Sequence, residues 1–245
     1  MIERENPMGL GSKLSLRAHW KAWTAAAIAA IAVLAVGGPY VYIHFFNGDE
    51  PAALKLSAGS TPSGTASAAT VSTDGTWKVA TGSTTGYRVH EVLVGQSTTA
   101  VGRTSGVTGS ITISGSTVNA GTFTADMTTV KSDKTQRDGQ FQGRIMQTSK
   151  YPTATFALTE PIDLGTTPVA GKTYKAKATG KLTLHGTTKP VTFTVQALRS
   201  GNTIRVQGSI PVTFSDYDIS SPSFGSFVKV DPKGTLEFLL DLAHA

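Results

Sequence analysis

The sequence has no cysteine. Disulfides, cysteine-ligated zinc and a cysteine nucleophile are therefore excluded, whereas export is not. Charge is also scarce, at 16% of 245 residues, against a usual fraction of about 25%. Five histidines leave little scope for a histidine-rich metal centre. The chain contains no Gly-x-Ser-x-Gly, no phosphate-cradling Gly-x4-Gly-Lys-Ser/Thr and no His-Glu-x-x-His. Serine, threonine and 26 glycines take the place of charge. That composition suits short strands joined by many turns and disfavours a helical bundle. The length allows one domain with appendages or two small ones. A net charge of +6 permits contact with anionic lipid but is a weak nucleic-acid signal, so no nucleic-acid partner is expected.

One stretch lacks charge altogether. No Asp, Glu, Lys or Arg occurs over 22–48, between Lys21 and Asp49. As a helix this run would be about 40 Å long at 1.5 Å per residue, enough to cross a hydrocarbon core of about 30 Å. Trp20 and Trp23 flank it on one side and Tyr40, Tyr42, Phe45 and Phe46 on the other, as interfacial belts do. Arg4, Lys13, Arg17 and Lys21 precede it, and Asp49 and Glu50 follow. The positive-inside bias then puts residues 1–21 in the cytoplasm and the rest of the chain outside. A cleaved signal peptide would have a shorter apolar core and a small-x-small site. The bulky end of the run favours an uncleaved anchor over 22–46, hence a single-pass membrane location with an extracytoplasmic C-terminal domain. Residues 47–73 are rich in Ser, Thr, Ala and Gly and read as a flexible linker that folding does not need. The ordered domain is expected over 74–245.

Within that domain the hydrophobic period is two. Tyr87, Val89 and Leu93 share a face, as do Ile111 and Ile113. Tyr174, Ala176, Ala178, Leu182 and Leu184 alternate with Lys175, Lys177, Lys181 and His185. Val191, Phe193, Val195 and Ala197 form the next set, then Ile204, Val206, Ile210, Val212 and Phe214, and lastly Leu236, Phe238, Leu240 and Leu242. Such alternation predicts strands with one buried face. His185-Gly186-Thr187-Thr188-Lys189-Pro190 and Ser200-Gly201-Asn202 supply turns. Short turns make consecutive strands antiparallel. About eight segments predict an all-β barrel or sandwich. The stretch 132–148 breaks the pattern. Phe141 and Ile145 are four apart, so a short helix capped by Ser132 or Asp133 is expected there, weakened by Gly139 and Gly143.

The order of motifs resembles the YceI-like family of lipid- or polyisoprenoid-binding domains. Trp77-Lys78-Val79 and 87–93 come first, then Arg137-Asp138, Tyr151-Pro152 and Phe156. The run from Gly180 through Leu184-His185-Gly186-Thr187-Thr188-Lys189-Pro190-Val191 follows, and Phe224-Gly225 stands before the final strand. Between Arg-Asp and Tyr-Pro, Arg144-Ile145-Met146-Gln147 replaces the family's acidic and diaromatic stretch. The resemblance implies an eight-stranded, lipocalin-like antiparallel barrel enclosing a polyisoprenoid or quinone-like lipid. It also makes Arg137 a residue whose planar donors suit a polar or phosphate head group. The competing reading of Arg137 is an internal ion pair.

The cavity-lining candidates are Tyr87, Val89, Phe123, Phe141, Ile145, Phe156, Ala176, Ala178, Leu182, Phe193, Phe214 and Phe238. In a filled barrel these residues pack against each other, and in a hollow one they line a tunnel; both need an apolar interior. The entrance is expected over 132–151, at the least regular segment. Arg137 and His185 are the head-group candidates, with a structural turn as the bland role for His185. Asp216 and Asp218 offer paired carboxylates, or a solvated turn. His90 and His185 have no local third ligand, so no metal and no cofactor are expected. Lys172, Lys175, Lys177, Lys181 and Lys189 form a basic cluster that suits anionic lipid or plain solvation. The expected function is a membrane-anchored binding protein for an isoprenoid or other long-chain amphiphilic lipid, acting as carrier, store or sensor without bond chemistry. The rivals are a packed interaction barrel of the envelope and, more distantly, an enzyme acting on a lipid held inside.

Overall fold

The computed structural model describes residues 27–31, 33, 50–56, 72–93, 95–220, 223 and 228–245. The chain divides into two units, Met1–Gly48 and Asp49–Ala245. In the first, residues 27–31 and 33 are helical, with Ile28 67% and Ile31 65% exposed. Among the described residues no helix is long and apolar enough to cross a membrane. The rest of the expected anchor over 22–46, and the Phe224-Gly225 pair, lie outside the described residues.

Among the described residues the second unit has thirteen strands: β1 Gly75–Val79, β2 Thr84–Leu93, β3 Gln96–Thr104, β4 Val107–Ser114, β5 Thr117–Asp126, β6 Lys131–Ser132, β7 Thr153–Leu158, β8 Ile162–Asp163, β9 Thr173–Leu184, β10 Thr187–Ser200, β11 Thr203–Thr213, β12 Val228–Val230 and β13 Lys233–His244. Their pairing runs β1-β4-β5-β7-β9-β10-β11-β13 and closes from β13 back to β1. β13 also pairs with β2, in the register Thr235↔Arg88 to Leu239↔Thr84. β1 and β2 therefore follow one another along β13, as one wall strand interrupted at 80–83. β3 and β4 likewise follow one another along β2 and β1. The result is a closed eight-stranded antiparallel barrel, in which closure removes the exposed edges of an open sheet.

The interruption at 80–83 has a local cause. Ala80 donates its N–H to Asp241 O at 2.7 Å. The Ser83 hydroxyl donates to Asp241 O at 3.2 Å and accepts from Asp241 N at 3.0 Å. On the outer wall Asp241 makes a two-pronged pair with Arg205, at 2.7 and 2.9 Å.

The irregular segment contains a short helix α1, Thr135–Gln140, continuing as one π turn over Phe141–Ile145. Its N-terminus differs from the expectation of a Ser132 or Asp133 cap: the cap position is Lys134, which makes no side-chain cap bond. Ser132 is engaged elsewhere, its N–H and hydroxyl both donating to Asp138 Oδ1 at 2.7 Å. The buried Asp138 carboxylate thereby ties α1 to β6. Asp216 lies in a 3-10 turn, Phe214–Tyr217, closed by Asp218 at φ 54°. These two carboxylates thus sit at a turn and not on a strand face, and Asp218 accepts a hydrogen bond from Thr187 Oγ1 at 2.9 Å.

Residues 50–56, inside the segment read as a linker, lie on the outer wall of the barrel. Pro51 O accepts from Arg88 Nη2 and Ala52 O from Arg103 Nη2. Leu54 N donates to Glu237 Oε2 at 3.3 Å. Arg88, Arg103 and Glu237 come from the adjacent strands β2, β3 and β13. Glu237 is buried although it faces outward, because Arg103 Nη2 at 2.8 Å, Arg88 Nε at 3.6 Å and this strap surround it.

Candidate functional site

The barrel interior holds two compartments. One, of about 620 Å³, lies beside α1. The other, of about 180 Å³, lies toward Trp77. Thr85, Ala125, Ala154 and Leu236 line both. These four form a waist between the compartments, where Ala125 and Ala154 are direct partners across β5 and β7.

The interior is hollow because its aromatic rings lie along the wall. An added Cβ at Gly102 would come within 2.3 Å of the Tyr87 ring, at Gly180 within 2.5 Å of Phe156, and at Gly208 within 2.5 Å of Phe238. Each ring occupies the volume that a side chain on the neighbouring strand would otherwise take. The Phe193 ring meets those of Phe156 and Phe238 edge-on, at 5.2 and 5.9 Å. Beyond them the barrel is filled by Trp77 and Leu242, both fully buried. The Trp77 indole N–H donates to Thr73 O at 2.9 Å. The Arg199 guanidinium lies 5.9 Å from the indole ring and donates to Thr73 Oγ1 at 2.5 Å.

Eleven of the twelve lining candidates divide between the compartments. Tyr87, Val89, Phe141, Ile145 and Phe214 line the larger one. Phe123, Phe156, Ala178, Leu182, Phe193 and Phe238 line the smaller one. Ala176 is half-buried on the inward phase of β9 but is not among the described residues lining either space. The larger compartment reaches the surface along α1 and the π turn, where Gln136, Gln140 and Arg144 are exposed lining residues. That places the opening within the irregular segment.

The two head-group candidates separate. Arg137 lines the larger compartment. Its Nη2 donates to Glu91 Oε1 at 3.0 Å and its Nη1 to Asp133 Oδ1. Burial would lower the guanidinium pKa, but the facing carboxylates of Glu91 and Asp133 outweigh it and push the value up. The internal ion pair is thus the role in which Arg137 is found. His185 is a turn residue at φ 50°, 7% exposed and outside the described lining of both compartments. Its Nδ1 lies 3.1 Å from Tyr217 O and its ring meets Tyr151 at 4.6 Å, so it fixes the β9–β10 turn against the 3-10 turn.

Glu91 is the functional candidate that the sequence reading missed. It is 7% exposed and lines the larger compartment. The signal was its phase, since it stands on the same face of β2 as Tyr87, Val89 and Leu93. Among the described residues no group of three His, Asp or Glu could hold a metal ion.

A closed antiparallel barrel with an apolar, two-chambered interior and a polar rim belongs to the lipocalin-like class of barrels. Within that class the chain belongs to the YceI-like domain family, whose model matches residues 77–242. A UPF0312 protein of Vibrio parahaemolyticus is 33% identical over 113 residues, which is 43% of this chain and 55% of that protein. A UPF0312 protein of Vibrio campbellii is 36% identical over 78 residues, 31% of this chain and 38% of its own length. The matched stretches span about half or less of these curated relatives. Among solved structures, a polyisoprenoid binding domain from Saccharophagus degradans, implicated in plant cell wall breakdown, is similar with a TM-score of 0.56. It is 16% identical, with 69% of this chain and 98% of that one covered, a likeness of fold.

Proposed function

We propose that this protein binds an isoprenoid or other long-chain amphiphilic lipid, tail inward through both compartments and polar end at the α1 rim. It acts as a carrier, store or sensor and makes or breaks no bond. The observation that carries this reading is the waist: because Thr85, Ala125, Ala154 and Leu236 line both spaces, the interior suits one extended apolar chain. Each Å² of apolar surface that such a chain removes from water contributes roughly 25 cal/mol. The family and the polyisoprenoid binding domain from Saccharophagus degradans add support.

The reading extends to location. The uncharged run over 22–48, its aromatic flanks and the preceding basic residues support a single-pass anchor over 22–46, with the barrel outside the cytoplasm. Lipid extraction from natively purified full-length protein, followed by mass spectrometry, tests the binding. The expected result is a co-purified long-chain amphiphile near one per chain. A lipid-free protein that also takes up no fluorescent isoprenoid analogue would favour the packed interaction barrel.

A further inference from the structure

On its outward phase β9 carries Lys175, Lys177 and Lys181, all exposed. They form one row along the strand, about 20 Å from first to last at roughly 3.4 Å per residue. Among the described residues no ion pair or hydrogen bond engages the three ammonium groups. The rest of the basic cluster is placed differently. Lys172 lies 5.2 Å from the centre of the Tyr174 ring, and Lys189 is in register with inward-facing Leu182. The outward arginines also differ, since Arg88 and Arg103 face Glu237 and Arg205 faces Asp241.

The positions flanking the row are short and uncharged. Lys175 is in register with Gln196 and Lys177 with Thr194, while Lys181 stands between Pro190 on β10 and Ala157 on β7. Thr179 and Thr192 join their hydroxyls at 3.2 Å, and Thr183 and Thr188 at 2.8 Å. The long lysine side chains therefore reach past their neighbours, whose hydroxyls are already paired. Two carboxylates, Glu160 and Asp163, are exposed just beyond β7. Neither makes an ion pair with the row, and Asp163 instead accepts from Ser116 Oγ at 3.3 Å and Gly165 N at 2.8 Å. Around the ring of eight wall strands β9 lies four places from β2 in either direction. The row is thus opposite the strap at 50–56, on a wall that the strap leaves open.

We infer that the β9 row is a docking surface for an anionic bilayer. A convex barrel meets a plane along a line, and these cations lie along such a line with nothing bulky beside them. A protein partner would require a buried aromatic or aliphatic anchor at the centre of its contact. The row and its flanks offer lysine, threonine, alanine, proline and glutamine instead. A plane of anionic head groups needs no anchor, because its field acts on each ammonium group across a Debye length of about 8–10 Å. Each lysine brought to that surface improves docking about fivefold. The inference concerns the outer wall and holds whatever the interior binds.

Because the chain has no cysteine, a donor fluorophore can be attached at one chosen site. Thr194→Cys puts it beside Lys177, and Ser97→Cys puts it at an exposed position of β3. Full-length labelled protein is combined with vesicles of phosphatidylcholine, with or without phosphatidylglycerol, each carrying an acceptor lipid. Energy transfer from the Thr194→Cys label should rise in the anionic vesicles and fall back in about 0.5 M salt, where screening is short-ranged. The Ser97→Cys label should show no such rise. In the Thr194→Cys background Lys177→Gln should lower the docked-to-free ratio about fivefold. Lys175→Gln, Lys177→Gln and Lys181→Gln together should abolish the rise. Lys78→Gln, Lys229→Gln and Lys233→Gln together remove the same charge from exposed positions on other strands and should leave it. Circular dichroism confirms that each variant is folded. No rise at the Thr194→Cys label, a rise that survives loss of the row, or equal loss in the two triple variants would overturn the inference. So would capture of labelled poly-glutamate without any response to anionic vesicles, which would assign the row to a soluble polyanion.

Discussion

Tyr87 combines several constraints in one residue: its ring lies over Gly102 and stacks on Phe141, and its buried hydroxyl feels Arg137 and the carboxylates of Asp138, Glu91 and Asp133. Burial first, and those carboxylates against the opposing pull of Arg137, give a pH signature. The folded-state pKa is raised to about 12, above an unfolded value near 10. Its stabilising effect is therefore fully present below about pH 10 and is lost as the pH climbs toward about 12, because the unfolded chain ionises first. The loss attributable to Tyr87 is at most roughly 2–3 kcal/mol, at about 1.4 kcal/mol per unit. Tyr217 is raised too, by burial and then by Asp216, so unaltered protein and Tyr87→Phe must be compared. Urea unfolding across the alkaline range should show a shallower fall for Tyr87→Phe. Parallel curves would place the Tyr87 hydroxyl outside the field described here.

At the scale of elements, what the sequence made legible follows from burial of one face. β9 alternates over its length and β10 over 191–195, and both the barrel and most of its lining could be read from such runs. Glu91 shares the inward phase of Tyr87 and Val89, but that phase alone does not show how a buried carboxylate is satisfied until a partner such as Arg137, 46 residues away in sequence, is known. The start of α1 was misjudged because Ser132 can cap a helix or satisfy Asp138, and only the fold selects the second. The strap at 50–56 carries no period and no motif. Apart from Glu50, 3.9 Å from Arg88, its polar contacts are made by main-chain groups, which every residue possesses. Its contribution is nevertheless measurable. Removing it withdraws the acceptors of Arg88 and Arg103 and the Leu54 N–H from a buried carboxylate, and bonds to charged groups are each worth about 1.5–3 kcal/mol at most. A chain starting at residue 72 should therefore melt about 2–4 °C lower, for each kcal/mol lost, than one starting at residue 49. Equal melting temperatures would return 50–56 to the status of a plain linker.

The molecule as a whole is organised around its waist. Below it, the small compartment is lined by the Phe156, Phe193 and Phe238 rings; above it, the large one opens beside α1. Ala125 and Ala154 are small residues at facing positions of β5 and β7, and both line the two compartments. A larger apolar side chain there would block the passage while leaving the rim, with Tyr87, Glu91 and Arg137, unchanged. Ala154→Phe is the direct test, since Ala154 is half-buried and lines both compartments. Adding bulk to a packed interior typically costs about 1–3 kcal/mol, but here the ring has cavity volume to enter, so the cost should fall at the lower end. A short-chain fluorescent prenol, held within the large compartment, should be retained nearly as well as by the unaltered protein. A long-chain prenol needs both compartments and should lose affinity in proportion to the apolar surface it can no longer bury. Retention of both chain lengths, measured alongside thermal unfolding to show that the variant is folded, separates the outcomes. If long and short chains are weakened alike, the two compartments do not hold a single tail, and the smaller one is only a packing void beneath the site.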